Sequence, residues 1–187
     1  MAGQGPFGTT GGPSGIGAAC AQYLDALGFT VWAGVRSTQD GEALTRLTSS
    51  RLRVLMLDVT DPASIEAARK TLAEATCDTG LAGLVNNAGI SVAGPLELLP
   101  LSEVRTQFEV NVIGVLAVTQ ALLPLLRLAR GRIVNISSIA GLAATPFLGA
   151  YCSSKFALEA MSDALRLELA PWGISVSLVE PGAIQSQ

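Results

Sequence analysis

Tyr151 and Lys155 lie four positions apart in a stretch whose apolar spacing reads as a helix, so their side chains share one face. An isolated Tyr-x-x-x-Lys pair is usually a solvated surface pair. The chemical alternative is a phenol that exchanges its proton beside an ammonium group. A free tyrosine ionises at about 10, so proton exchange near neutrality needs roughly 4 kcal/mol of help. Two unit charges about 4 Å apart at an effective dielectric of about 20 interact by roughly that amount. One close lysine is therefore sufficient in size. The chain has no histidine, which removes Ser-His-Asp triads, Cys-His pairs and the usual zinc sites. Proton transfer falls to Tyr, Lys, Asp, Glu, Cys or water, and no metal centre is expected.

A second group of residues stands near the N-terminus, Thr10-Gly11-Gly12-Pro13-Ser14-Gly15-Ile16-Gly17. Gly11, Gly15 and Gly17 follow the spacing G-x-x-x-G-x-G, and a helical pattern begins directly after them. A glycine turn at a helix N-terminus lets a phosphate group meet bare backbone N–H groups. Alone, such a loop is often only a loop.

The rest of the chain must position both groups. At 187 residues, with 49% hydrophobic and 14% charged residues, it suits one packed domain spanning 1–187. The net charge of −3 offers no footprint for nucleic acid, and no basic run suggests a membrane surface. The best apolar stretch, Val110–Leu128, is interrupted by Pro124 and Arg127, so no membrane segment is expected. Nothing at the N-terminus argues for secretion, and Cys20, Cys77 and Cys152 read as free thiols of a reducing compartment, hence a cytoplasmic location.

Strands are expected at 4–10, 30–35, 53–57, 81–85, 132–136 and 174–179. Helices are expected from Gly15 to about Leu27, over 41–48, from Pro62 to about Ala75, over 102–128 and over 151–170. Gly28 reads as a C-terminal stop and Asp61 as an N-cap. The first strand, with two glycines and a proline, reads as short or frayed. Strands and helices alternate, and the strands are continuous apolar runs. This predicts an α/β fold, a doubly wound parallel sheet covered on both faces. The chemistry-bearing residues all fall where strands end, the edge at which such folds bind ligands.

Thr10-Gly-x-x-x-Gly-x-Gly17, Asn86-Asn-Ala-Gly89, Asn111-Val-x-Gly114, Ser138 and Tyr151-x-x-x-Lys155 occur in this order, with Ser138 preceding Tyr151 by 13 positions. The chain thereby resembles a classical short-chain dehydrogenase/reductase, with a Rossmann fold, from Thr10 onward. The resemblance implies an NAD(P)-dependent oxidoreductase acting on a secondary alcohol or ketone. It implies Tyr151 as general acid/base and Ser138 as hydrogen-bond donor to the substrate oxygen. Lys155 would assist Tyr151 and bind the nicotinamide ribose, and the Asn111 amide would hold a water linking Lys155 to solvent. Cys152 is read as packing.

On the cofactor side the resemblance implies Gly11, Ser14, Gly15, Ile16 and Gly17 for the pyrophosphate, with Asp58, Val59, Asn86, Ala88 and Gly89 on the adenosine side. Pro181, Gly182, Ile184 and Ser186 would approach the nicotinamide carboxamide, Ser186 standing where the family generally has Thr. After strand two, Trp32-Ala-Gly-Val35, the acidic residue typical of NAD enzymes is missing and Arg36 follows. Arg36 can pair with a 2′-phosphate, which favours NADP(H) over NAD(H). The sequence stops five residues after Gly182, where the family continues into a substrate-covering segment and a seventh strand. Six strands are readable and both of those parts are absent, so low turnover is expected of this chain. The family also implies a homodimer through helices 102–128 and 151–170. The competing readings are a weakly active or inactive nucleotide-binding protein of the same fold, and an epimerase or dehydratase of the extended family, whose glycine spacing differs.

Overall fold

The computed structural model describes residues 5–12 and 14–184. Six strands form one parallel sheet: β1 (Phe7–Thr9), β2 (Val31–Val35), β3 (Leu52–Met56), β4 (Gly83–Asn86), β5 (Arg132–Ile136) and β6 (Ser175–Val179). Their order is β3-β2-β1-β4-β5-β6. The chain starts at the centre, winds outward through β2 and β3, then crosses back to β4 and winds the other way. Its switch point lies between β1 and β4, both strands paired in parallel through Phe7–Thr9.

The helices divide between the two faces. On one, α1 (Gly15–Ala26) and α2 (Thr38–Thr45) cover β2 and β3 through Ala21, Val31, Ala33, Leu44 and Leu52. On the other, α3 (Pro62–Ala75), α5 (Val115–Ala129) and the end of α6 (Gly149–Leu169) bury Leu72, Leu122, Leu126, Ile133 and Leu169. Local chemistry explains the boundaries. Asp61 caps α3 by accepting a hydrogen bond from Ala63 N at 2.9 Å, with Pro62 in the first turn. Gly28 ends α1 with φ 92°. The helix expected over 41–48 starts earlier, at Thr38, because the Ser37 hydroxyl caps it by accepting from Asp40 N at 3.1 Å.

β1 is only three residues long, as its composition suggests, yet it is fully buried. Packing compensates for poor propensity. The Phe7 ring meets Phe29 edge to face at 4.9 Å between centroids. It also fills the space over Gly83, where a Cβ would lie 2.2 Å from the ring.

The helix expected over 102–128 is not uniform. It begins as α4 (Leu101–Phe108), widens to a π-turn at Glu109–Gly114, and continues as α5. The widening coincides with Asn111, whose side chain is held inward, and with Gly114, where a Cβ would lie 2.8 Å from the Val59 carbonyl. Pro124 does not end the helix, although it lacks the N–H of a regular turn. By length and composition, Leu101–Ala129 is long and apolar enough to cross a membrane, which corrects the reading of Pro124 and Arg127 as interruptions. In this fold Val118, Leu122 and Leu126 of that helix are buried in the core.

One buried charge ties α1 to the segment before β3. The Asp25 carboxylate is 5% exposed and accepts from Ser49 Oγ and, at 2.8 Å, from Ser49 N. The two Ser49 hydrogen bonds, the hydroxyl's first, hold its carboxyl below the ordinary carboxylate value, with Arg51 adding a smaller attraction. A folded-state value below the unfolded one gives stability that is present above the unfolded value and lost as pH falls through the folded one. Asp25→Ala should therefore lower the unfolding free energy at neutral pH by about 2 kcal/mol. The difference from the parent chain should shrink below about pH 4, as urea unfolding across that range would show.

Candidate functional site

A cleft of about 640 Å³ opens at the carboxyl ends of the strands, across the switch point. Its floor begins with the glycine loop. Gly11 has φ 64° and Gly15 φ 55°, left-handed values that glycine adopts without strain. Gly17 stands in the first turn of α1, where a Cβ would clash with the Gly11 carbonyl oxygen. The loop folds back on its own helix, and only glycine fits that contact. Ser14, at the N-cap, makes no capping hydrogen bond through its side chain, so no side chain closes the first turn of α1. Uncapped N–H groups at the positive end of the helix dipole suit a phosphate.

The loop is fastened to the end of β4. Thr10 Oγ1 accepts from Asn87 N and Ala88 N, both at 2.9 Å. Asn87 Nδ2 donates back to the carbonyls of Thr10 at 3.1 Å and Gly11 at 2.8 Å. Thr10 and Asn87 thus build the cradle, and Asn87 also lines it. Neither stood among the candidate site residues, although both lie inside the motifs that revealed the site.

α6 supplies Tyr151 and Lys155. Lys155 is 5% exposed, and its ammonium donates to the Ile136 carbonyl at the end of β5 at 2.7 Å. It lies 5.7 Å from the centroid of the Tyr151 ring. Burial drives the Lys155 ammonium down to about 8, against an opposing attraction from Glu159. Ser138 Oγ accepts from Ala140 N at 3.1 Å and donates to the Pro181 carbonyl at 3.5 Å, which links the loops after β5 and β6.

Fifteen of the sequence-derived residues line this one cleft: Gly11, Ser14, Gly15, Ile16, Arg36, Asp58, Val59, Ala88, Gly89, Ser138, Tyr151, Lys155, Pro181, Gly182 and Ile184. Thr60, Ser91, Thr106 and Val110 line it as well; nothing in their local sequence marks them, because Thr60 and Ser91 come from loops and Thr106 and Val110 from the long helix that passes the cleft. Three expected residues sit behind the wall. Gly17 packs against the loop as described. Asn86 turns its side chain into the core, where Nδ2 donates to Thr119 Oγ1 at 3.0 Å and Asn135 Oδ1 at 2.9 Å, and so does not present it on the adenosine side. Asn111 is 1% exposed, its Oδ1 accepting from Ile90 N and its Nδ2 donating to Ile90 O and Ser154 Oγ. Both amide donors are therefore used within the protein, and a water held by this side chain has only an Oδ1 lone pair to donate to. Ser186 lies outside the described residues.

Asp58 accepts from the N–H and hydroxyl of Thr60, which hold its carboxyl below the ordinary value, and Arg36 adds a weaker attraction. Arg36 itself is exposed at the cleft edge. Among the described residues, no group of His, Cys, Asp and Glu gathers as a metal centre. What the arrangement offers is a backbone anion cradle, a phenol, a buried ammonium and a hydroxyl along one cleft.

The glycine contact can be tested without any ligand. Gly17→Ala should destabilise the chain by about 1–3 kcal/mol, the cost of forcing a methyl into closed packing. Ser14→Ala, whose side chain makes no capping bond, should stay within about 0.5 kcal/mol of the parent in the same denaturant titration.

The family model for short chain dehydrogenases matches residues 9–187. Retinol dehydrogenase 5 of Mus musculus is 47% identical over 174 residues, covering 92% of this chain and 54% of the relative. The 17-beta-hydroxysteroid dehydrogenase type 6 of Homo sapiens is 48% identical, with 92% of this chain and 55% of the relative covered. The mitochondrial D-beta-hydroxybutyrate dehydrogenase of Mus musculus is 44% identical, with 92% and 52% covered. The chain thus spans about half the length of the curated relatives it matches. Among solved structures, a short-chain dehydrogenase from Streptomyces avermitilis superposes with a TM-score of 0.93 at 36% identity, covering 99% of this chain and 68% of that one. ElxO with NADP bound superposes at 0.92 and 28% identity, covering 98% and 75%. With its family model matched from Thr9 to the last residue, over a doubly wound sheet that holds the glycine cradle and the Tyr151–Lys155 pair in one cleft, this chain belongs to the short-chain dehydrogenase family.

Proposed function

We propose that the chain carries the catalytic and dinucleotide-binding parts of an NAD(P)-dependent oxidoreductase that interconverts an alcohol and its carbonyl compound. The observation that carries this reading is the convergence of Tyr151, Lys155 and Ser138 with the glycine loop in one cleft. The dehydrogenase names of the relatives, which concern retinol, a hydroxysteroid and hydroxybutyrate, support a CH–OH substrate.

When bound, the nicotinamide supplies or accepts the hydride. The chain's own residues do the rest. Tyr151 gives its phenolic proton to the carbonyl oxygen in reduction and takes it back in oxidation, general acid–base work typically worth about 10²–10⁴ in rate. Lys155, buried one helical turn away, places positive charge where it favours the phenolate. Ser138 turns its hydroxyl from the Pro181 carbonyl to the substrate oxygen, whose developing charge it stabilises. Gly11, Ser14, Gly15 and Ile16, which line the cleft at the start of α1, would hold the pyrophosphate.

The exposed guanidinium of Arg36 supports NADP(H) as the preferred form, since it can meet a 2′-phosphate in a bidentate pair. The two long helices support a homodimer. Ile113 and Leu128 of the first, and Phe156 and Leu167 of the second, are 50%, 56%, 45% and 77% exposed.

Nicotinamide absorbance with a panel of ketones tests the reaction. Consumption of NADPH should exceed that of NADH in kcat/KM, and Tyr151→Phe should reduce kcat by about 10²–10⁴ while NADPH still binds. Undiminished turnover in Tyr151→Phe would defeat the assignment, and a clear preference for NADH would defeat the role given to Arg36. Sedimentation equilibrium should return a dimer mass; a monomer across the micromolar range would count against the helix interface.

A further inference from the structure

α6 continues past the reactive pair in a single stripe. Tyr151, Lys155 and Glu159 stand at successive four-residue steps, so the carboxylate of Glu159 follows the ammonium on the same face. That stripe runs beside the turn after β5. Gly141 lies in this turn, and a Cβ there would meet Glu159 Oε1, Glu159 Cγ and Ser137 Oγ, each at 3.0 Å. The missing side chain is what lets the carboxylate lie against the turn. Glu159 Oε1 and Ser137 Oγ are both buried, and neither has a hydrogen-bond partner. A buried carboxylate oxygen and a buried hydroxyl left open around the same point are costly unless they serve each other or a nearby charge.

The nearby charge is Lys155. Its ammonium is bound by the Ile136 carbonyl, one residue before Ser137. The groups facing it are Tyr151 and Glu159 on α6, Ile136 and the neutral Ser138 at the end of β5, Asn111 on the widened turn and Gly89 after β4. Among the described residues, Glu159 is the acidic side chain whose charge acts on Lys155.

We propose that Glu159 is a positioning residue of this site: lying over Gly141 and taking the Ser137 hydroxyl proton as a hydrogen bond, its carboxylate is the counter-charge that keeps Lys155 an ammonium. The two oxygens do not meet in hydrogen-bonding geometry as they stand, so a small turn of the Ser137 or Glu159 side chain, or one bridging water, completes the bond. The same contact fixes the Ser137–Ser138 pair against α6, and therefore the distance between the Ser138 hydroxyl and Tyr151. The role in turnover rests on the Tyr151–Lys155 reading above. The charge pairing does not.

The chain has two lysines, Lys70 and Lys155, which makes the test direct. With [ε-13C]lysine, NMR titration gives one signal from Lys70, whose side chain is 65% exposed, and one from buried Lys155. In Glu159→Gln the Lys155 midpoint should fall by roughly one pH unit, with Lys70 unmoved as the internal reference. Glu159→Ala should give the same fall independently of how glutamine packs, and Glu159→Asp should stay near the parent value. A Lys155 midpoint unchanged in both neutral variants overturns the proposal. So would an equal fall in Glu159→Asp, which would assign the effect to packing instead of charge. In the assay of carbonyl reduction, the alkaline limb of the kcat profile should move down with the NMR midpoint. Because the titration needs no turnover, an inactive chain that still shows the shift defeats the functional reading alone, and an active chain without it defeats this one alone.

Discussion

An ammonium group taken almost entirely out of water is the constraint on which the rest of this site depends. Lys155 is 5% exposed, and its one direct hydrogen bond among the described residues is to a backbone carbonyl, Ile136, at 2.7 Å. A buried cation with so little around it is expensive. The cost is visible in the downward displacement of its ionisation to about 8. It is borne because β5, α6 and the π-turn of the long helix enclose the lysine from three sides. Each of those elements is fixed elsewhere in the core, which holds the lysine at the cleft wall.

That fixing runs through a buried polar chain beneath the cleft. Asn86 on β4 joins Thr119 on α5 and Asn135 on β5, and Asn135 in turn donates to Ser162 on α6 at 2.8 Å. All four side chains are buried. Apolar contacts alone would let the two helices slide along the sheet, whereas this hydrogen-bond chain forms in one register, leaving Asn86 Oδ1 its only open atom among those of the four side chains. Asn111 continues the same logic one layer higher, tying the π-turn to the backbone of Ile90 and to Ser154, whose hydroxyl donates to the Tyr151 carbonyl at 2.7 Å. Tyr151 is thereby set by its helix and by the strand-end loops together.

The cofactor side is organised by closeness of backbone. Gly17 meets the Gly11 carbonyl, Gly11 itself takes a left-handed turn, and Thr10 and Asn87 lock the loop to the neighbouring strand end. β1, the strand that leads into this loop, is the poorest strand former in the sheet. It is held by Phe7 packed on Phe29 and over Gly83, contacts with partners distant in sequence. A weak local preference is overridden wherever burial on both faces is complete.

The sequence by itself determined the alternation of strands and helices, the capping of α3 by Asp61, the end of α1 at Gly28, and the spacing of the glycine loop and of the Tyr151–Lys155 pair. These are local properties, set by periodicity, caps and the stereochemistry of glycine, and they are written within a few residues of where they act. Tertiary structure decided the rest. It placed Asn86 and Asn111 behind the cleft wall, since an amide side chain in a buried strand end or helix must satisfy its own hydrogen bonds before it can serve a ligand. It widened the long helix at Glu109–Gly114 and carried it past Pro124, because the surrounding packing outweighs one missing N–H. It also brought Glu159 and Ser137 together over Gly141, a meeting of three segments that no spacing along the chain announces.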